Sequence, residues 1–192
     1  MTKIYGDEEI IRRRVAAEAK RRHTIENKVE IDGVEYMFAR RKFEFGFSMV
    51  VPEAFEQMPR EIAKRKFPYE DRPEIIISNS DYRVCIAFNN AELGSESIDS
   101  RVSSFRAYIK TIHPSNVFFI QGIYDLPNNI QIGHYDYRYP VVNNDLYNIT
   151  FVADLPDMEL LGWFICPIDV KDKWEPLARQ MIQSIELVER GV

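Results

Sequence analysis

Residues 134–139 form the segment whose residue types and spacing are best suited to chemistry, because they read His-Tyr-Asp-Tyr-Arg-Tyr. Successive side chains of a β-strand point to opposite faces, so a strand here would place His134, Asp136 and Arg138 together. A histidine beside a carboxylate and a guanidinium could serve acid/base catalysis. The same face could instead be solvated and pair its charges across strands. We favour this second interpretation, because no nucleophile or second carboxylate lies nearby in the sequence.

The other face of the same segment carries three tyrosines, Tyr135, Tyr137 and Tyr139. Tyrosine combines a large apolar ring with a polar hydroxyl, and this suits it both to a peptide-binding surface and to a protein core. The sequence does not separate these alternatives. If the face is exposed, the negative charge of the chain favours a partner segment with apolar and basic side chains.

Histidine and cysteine are too scattered to suggest a metal centre. His23, His113 and His134 lie far apart, and Cys85 and Cys166 are 81 positions apart within apolar runs. Zinc ligands usually occur in closely spaced pairs. We therefore expect two buried free thiols, no metal and no cofactor.

Common catalytic and nucleotide-binding motifs are also missing. The sequence contains neither glycine-rich phosphate-binding pattern, G-x-x-x-x-G-K-[ST] or G-x-G-x-x-G, nor the nucleophile pattern G-x-S-x-G. Their absence excludes the P-loop and Rossmann nucleotide enzymes and the α/β-hydrolases. No motif therefore predicts a catalytic residue.

Periodicity predicts the elements that must position these residues. Alternating apolar residues on either side of Asp32-Gly33 predict a β-hairpin. The elements predicted after it are a strand over 43–51, a helix over 59–66, strands over 75–77 and 82–88, a helix from Ser95 or Ser97 to Ile112, strands over 116–124, 130–139, 146–153 and 159–166, and a helix over 174–187.

The four later strands have short, turn-rich connections and should form an antiparallel meander. This order predicts an α+β fold in one domain of residues 28–192, with a single antiparallel β-sheet and helices packed on it. Eight side chains are expected in the core: Phe45, Phe47, Ile109, Val117, Phe119, Ile149, Phe151 and Ile185.

Residues 1–27 form a predicted N-terminal helical arm. Ile11, Val15 and Ala19 recur at four-residue spacing between Asp7 and Arg22, which predicts a helix with a narrow apolar stripe. A solvated helix, lightly docked on the domain, fits better than a membrane-surface or partner-binding arm, because the stripe lacks Trp, Phe and Leu. Such an arm should be dispensable for folding.

The charge balance argues against nucleic acid as a partner. The chain has a formal charge of −5 and an isoelectric point of about 5.4, with net +3 over residues 1–66 and net −8 over the rest. Nucleic-acid-binding domains are usually strongly basic. Basic runs at 12–14, 40–42 and 64–66 have no interleaved aromatic residues for base stacking, so we expect no nucleic-acid partner.

Composition also suggests where the protein resides. No apolar stretch is long enough to span a membrane, and acidic residues near Met1 argue against a leader peptide. Buried free thiols are typical of a reducing compartment. The sequence therefore predicts a cytoplasmic protein.

The strand Phe45-Gly46-Phe47-Ser48-Met49-Val50-Val51-Pro52, with Phe55 after it, contains an F-S-hydrophobic-x-x-P pattern. It is followed by the mid-chain helix, the meander, and a tail from Phe164-Ile165-Cys166-Pro167 through Trp174 to Ser184-Ile185-Glu186-Leu187. These segments together resemble the Mog1/PsbP-like fold family, which includes DcrB-like proteins. The resemblance implies an α/β/α sandwich.

The resemblance covers about residues 28–187, and its stretch from Met58 to Ile76 is similar to small bacterial proteins of this group. Proteins of the fold mostly bind or assemble: a Ran-GTPase-binding factor, photosystem subunits and chaperones of secreted effectors. This implies a non-enzymatic protein-binding module, an adaptor or chaperone-like factor, and carries over no catalytic residues.

Two alternatives stay open. One is a hydrolase or other acid/base enzyme that uses His134, Asp136 and Arg138. The other is a structural subunit that self-associates through its N-terminal helix. On the preferred interpretation a protein partner binds at residues 134–139, and homo-oligomers can form as well.

Overall fold

The computed structural model describes residues 23–188, which contain twelve strands and three α-helices. The strands are β1 (Val29–Ile31), β2 (Val34–Tyr36), β3 (Phe38–Lys42), β4 (Phe47–Pro52), β5 (Glu56–Gln57), β6 (Ile75–Ser78), β7 (Cys85–Ala91), β8 (Val117–Asp125), β9 (Gln131–Tyr139), β10 (Leu146–Leu155), β11 (Met158–Pro167) and β12 (Glu186–Leu187). The helices are α1 (Arg60–Lys66), α2 (Ile98–Ile112) and α3 (Lys171–Gln183).

The strands pair antiparallel throughout the described range, as expected, but they form three sheets. A seven-stranded sheet has the order β5-β6-β7-β11-β10-β9-β8, a small sheet the order β12-β4-β3, and β1 pairs with β2 alone. The predicted single sheet is therefore wrong. The chain turns at Gly46, whose φ is 77°, so that β4 pairs with β3 on one side, and β12 occupies its other side, so this strand has no edge left for the large sheet.

The two faces of the seven-stranded sheet are covered differently. Helix α3, the small sheet and the β1–β2 hairpin pack on one face, around Phe47, Phe88 and Trp174. Helices α1 and α2 pack on the other, where Ala63 and Val102 contact the strands in two separate clusters. The main core thus lies between the large sheet and the α3 layer.

Local signals predicted most elements, but the strand expected over 43–51 begins only at Phe47, because Phe43 to Gly46 form the turn between β3 and β4. Asp32 and Gly33 turn the first hairpin with φ of 52° and 78°, and Ser97 caps α2 by accepting a hydrogen bond from the backbone N–H of Ser100 at 3.3 Å. The meander of β8 to β11 is confirmed. The last helix ends earlier than predicted, at Gln183, because the chain after it pairs with β4.

Half of the predicted core residues are buried. Phe47, Ile149, Phe151 and Ile185 are at most 2% exposed, and Phe45 and Ile109 are half-buried. The prediction is wrong for Val117 and Phe119, which are 42% and 47% exposed. Both lie on β8, which is the outermost strand of the large sheet.

The predicted N-terminal helix lies outside the described residues, and the division into an arm of residues 1–27 and a domain of residues 28–192 stays a prediction. The segment that follows it docks on α3: the His23 ring nitrogen Nε2 lies 2.5 Å from the Lys173 carbonyl oxygen, and Gln180 contacts His23 and Ile25. Among residues 23–188, no helix is long and apolar enough to cross a membrane.

Candidate functional site

The tyrosines of the predicted partner-binding face lie under α2. Tyr135 and Tyr137 are 2% and 8% exposed and pack against Val102, whereas Tyr139 is half-buried. Burial raises the pKa of Tyr137 above the usual tyrosine range. Of the two alternatives left open by the sequence, Tyr135 and Tyr137 therefore follow the core alternative, because the apolar side of α2 covers them.

The opposite face of β9 is not solvated either, because α3 lies against it. His134 and Asp136 are 3% and 1% exposed. Arg138 is half-exposed and pairs instead with Asp145, at 3.4 Å between Nε and Oδ2. The three residues thus do not form one site, and Arg138 makes its ion pair with a residue of the loop just before β10 and not across the strands.

The Asp136 carboxylate accepts three hydrogen bonds. Oδ1 accepts from the backbone N–H of Ile120 at 2.6 Å, and Oδ2 accepts from the Tyr147 hydroxyl at 2.5 Å and from Arg179 Nη2 at 2.8 Å. Ile120 lies in a β-bulge where the β8–β9 register shifts between Phe118 and Gln121. Asp136 therefore satisfies a backbone donor that the bulge leaves without a ladder partner.

Arg179 connects this carboxylate to the exposed side of α3. Its Nε and Nη2 donate to Glu175 Oε1 at 3.1 and 3.0 Å, and Lys171 Nζ donates to Glu175 Oε2 at 2.5 Å. Its Nη1 donates to the Tyr124 hydroxyl at 3.3 Å and lies 3.5 Å from His134 Nδ1. Opposite charges thus alternate from Lys171 to Asp136.

Burial beside this network lowers the proton affinity of His134. Burial, and then the positive charge of Arg179, lower the pKa of His134 to about 4, although Asp136 acts in the opposite direction. The ring also stacks on Tyr124 at 4.4 Å between centroids. The imidazole is therefore neutral, and the Asp136 carboxylate beside it already accepts three hydrogen bonds. Together they are suited to fixing α3 against β8, β9 and β10.

Sequence reasoning missed Arg179, Glu175 and Lys171. A signal was available, because these residues alternate in charge at four-residue spacing along one predicted helix. That spacing indicates intrahelical ion pairs. It does not reveal that Asp136, on a strand, completes the series.

The most exposed apolar surface of the large sheet lies on β8. This nine-residue strand pairs with β9 on one side and is the last strand of the sheet on the other. Val117, Phe119, Ile120 and Ile123 are 39% to 52% exposed. We call these four side chains, with the unpaired backbone edge of β8, the β8 edge.

Cavities and thiols offer less chemistry. A cleft of about 450 Å³ lies near the β10–β11 turn, and the side chains lining it include Phe45, Leu155 and Leu187 but no basic or thiol group. Cys85 and Cys166 are buried and free, as predicted, and burial raises the pKa of both thiols. Within residues 23–188, no three His, Cys, Asp or Glu side chains are grouped to hold a metal ion.

No protein-family model and no curated protein sequence matches the chain. Solved structures do match. The solution structure of cyanobacterial PsbP (CyanoP) from Synechocystis superposes with a TM-score of 0.57, 12% identity, and coverage of 83% of this chain and 96% of that one. The Ran-binding protein Mog1p of Saccharomyces cerevisiae superposes with a TM-score of 0.52 and 9% identity, and the match covers 80% of this chain and 96% of that one.

LpqN of Mycobacterium tuberculosis, described as involved in cell envelope biogenesis, gives a TM-score of 0.53 at 10% identity, over 80% of this chain and 91% of that one. At these identities the likeness concerns the fold. It agrees with the strand, meander and tail motifs of the sequence. The chain therefore has the Mog1/PsbP-like fold.

Proposed function

We propose that the protein is a non-enzymatic binding module, an adaptor or chaperone-like factor, which docks a protein partner on the β8 edge. One observation carries the proposal: four exposed apolar side chains lie on a strand whose outer backbone edge has no neighbour in the described structure. The proposal moves the contact surface from the buried Tyr135 and Tyr137 to the adjacent strand.

The physical reason is that an unpaired strand edge tends to pair with another chain. Unpaired N–H and C=O groups along a strand can pair with another chain, and soluble proteins usually protect them with charged side chains, proline or a covering element. From Val117 to Tyr124 the strand has no charged residue and no proline. An added partner strand would satisfy the backbone groups and cover the apolar side chains together.

Other observations support parts of this proposal. A protein of the same fold, Mog1p, is described as Ran-binding. The hydrogen bonds of Asp136 favour a structural role over catalysis at His134 and Asp136. A cytoplasmic location remains part of the proposal and is supported by the two free thiols.

The test compares how much partner protein is captured by two variants whose substituted residues are equally exposed. Ile120→Lys puts a charge on the β8 edge and keeps the backbone N–H that Asp136 binds. Leu93→Lys is the control, because Leu93 is 50% exposed against 52% for Ile120 and lies outside β8. Tagged full-length protein and both variants are mixed with native lysate, and the captured proteins are quantified by mass spectrometry.

The proposal predicts a stoichiometric partner that the parent protein and Leu93→Lys retain. Ile120→Lys should reduce its capture about tenfold or more, which corresponds to at least about 1.4 kcal/mol. Equal capture by all three proteins, or equal loss in both variants, would show that the β8 edge is not the docking surface. Unchanged thermal midpoints establish that both variants remain folded.

A further inference from the structure

The N-terminal half of β8 has cations on both of its faces, although the chain as a whole is acidic. The guanidinium carbon of Arg106, on α2, lies 4.9 Å from the ring centroid of Phe118. On the other face of the sheet, Lys171 Nζ lies 5.5 Å from the ring centroid of Phe119. These two neighbouring rings therefore have positive charge on opposite faces of the strand.

The α2 side holds the cations that are available to a partner. Gln121 Nε2 of β8 donates to Ser103 Oγ at 2.9 Å, which fixes that flank of α2 along the strand. Arg106 and Lys110 follow Ser103 at three- and four-residue steps and share its flank. The ion pairs of the described residues leave both without a carboxylate, whereas Lys171 pairs with Glu175.

The α3 side of the same strand is apolar. Val117 stands opposite Arg138 in the β8–β9 register, which places its side chain on the face that carries Asp136. Phe119 lies on this face too, 6.3 Å from Tyr147 between ring centroids. The two sides of the β8 edge thus differ: Arg106 and Lys110 lie toward α2, together with Ile123, and the exposed Val117 and Phe119 lie toward α3.

We propose that the β8 edge binds an extended segment of a partner protein in which acidic and apolar side chains alternate. The acidic side chains face Arg106 and Lys110, and the apolar ones cover Val117 and Phe119. This inference rests on the proposed function and replaces the basic partner segment predicted from the net charge of −5. Local cations decide the preference, because salt screens charges beyond about 8–10 Å.

The test uses three nine-residue peptides that alternate valine with glutamate, lysine or threonine. Fluorescence anisotropy measures their binding to the full-length protein. We expect the glutamate peptide to bind about tenfold or more tightly than the lysine peptide, with the threonine peptide between them. Added salt should weaken the binding of the glutamate peptide more than that of the other two peptides.

A charge reversal makes the test specific. The double variant Arg106→Glu/Lys110→Glu should reverse the preference and favour the lysine peptide. The matched control is Arg60→Glu/Lys64→Glu, which changes two residues at the same spacing on the exposed side of α1. It should keep the preference for glutamate. Equal binding of all peptides, or reversal by both double variants, would overturn the inference.

The remaining outcomes separate this inference from the proposed function. If Ile120→Lys abolishes partner capture but the glutamate peptide does not bind, the acidic segment is wrong and docking on β8 stands. If the glutamate peptide binds Ile120→Glu, which adds a repulsive charge to the strand, as well as it binds the parent protein, the site is not on β8. A concentration-dependent dimer that Ile120→Lys dissociates would show that a second copy occupies the edge, and would overturn the partner segment.

Discussion

Replacing Arg179 with methionine should destabilise the protein more than any change at an exposed ion pair. Arg179 is the cation of a buried network, with its side chain 17% exposed and that of Asp136 1% exposed. Its loss leaves the Asp136 carboxylate with two neutral donors, the Tyr147 hydroxyl and the Ile120 N–H. Uncompensated buried charges of this kind cost about 3–5 kcal/mol.

A double-mutant cycle identifies the source of that loss. Asp136→Asn removes the negative charge, so that Arg179→Met in its background no longer leaves that carboxylate without a cation. The two losses should therefore be non-additive by about 0.5–3 kcal/mol. Urea titration of the four proteins gives the free energies of unfolding by linear extrapolation.

Arg83→Met is the matched control. Arg83 also pairs with an aspartate, Asp169, at 3.6 Å, but the two side chains are 54% and 57% exposed. Exposed pairs contribute about 0–1 kcal/mol. A loss for Arg179→Met no larger than that of the control, or losses that add within error, would refute the account of the network.

Two further predictions concern stability. The pKa of His134 is about 4 in the folded protein, against 6.5 for an ordinary histidine. As the pH falls from 6.5 to 4, the unfolded chain therefore takes up a proton at this histidine that the folded protein does not, and the free energy of unfolding should drop by about 3 kcal/mol. Urea titrations of His134→Gln should show a smaller dependence of the free energy of unfolding on pH. An identical profile in the two proteins would contradict this. Gly162→Ala should cost about 1–3 kcal/mol, because an added Cβ would lie 2.0 Å from Cζ of the buried Phe151; a thermal midpoint unchanged from the parent protein would show that Phe151 can move aside.

Features set by neighbouring residues could be predicted from the sequence. The hairpin follows from Asp32-Gly33, and the start of α2 follows from the Ser97 cap, because both depend on contacts within a few positions. Strand order is different. Alternation predicts that Phe119 lies on a strand, but only the position of β8 at the end of the sheet determines that the ring is exposed.

The candidate site is harder to predict from the sequence for the same reason. Alternation correctly places His134, Asp136 and Arg138 on one face of β9, but what covers each face depends on distant segments. Arg179 is 43 positions from Asp136, and α2 was predicted without its docking position over Tyr135 and Tyr137. Whether a polar strand residue is solvated or joins a buried network is therefore a tertiary property.

Photo-cross-linking from the strand itself tests the docking claim most directly. A benzophenone amino acid is introduced at position 120 or, as the control, at position 93 of the full-length protein, which is then irradiated in native lysate. Docking on the β8 edge predicts one prominent cross-linked partner from position 120 and none of that mass from position 93. Cross-links of equal yield from both positions, or a partner reached only from position 93, would contradict docking on the β8 edge.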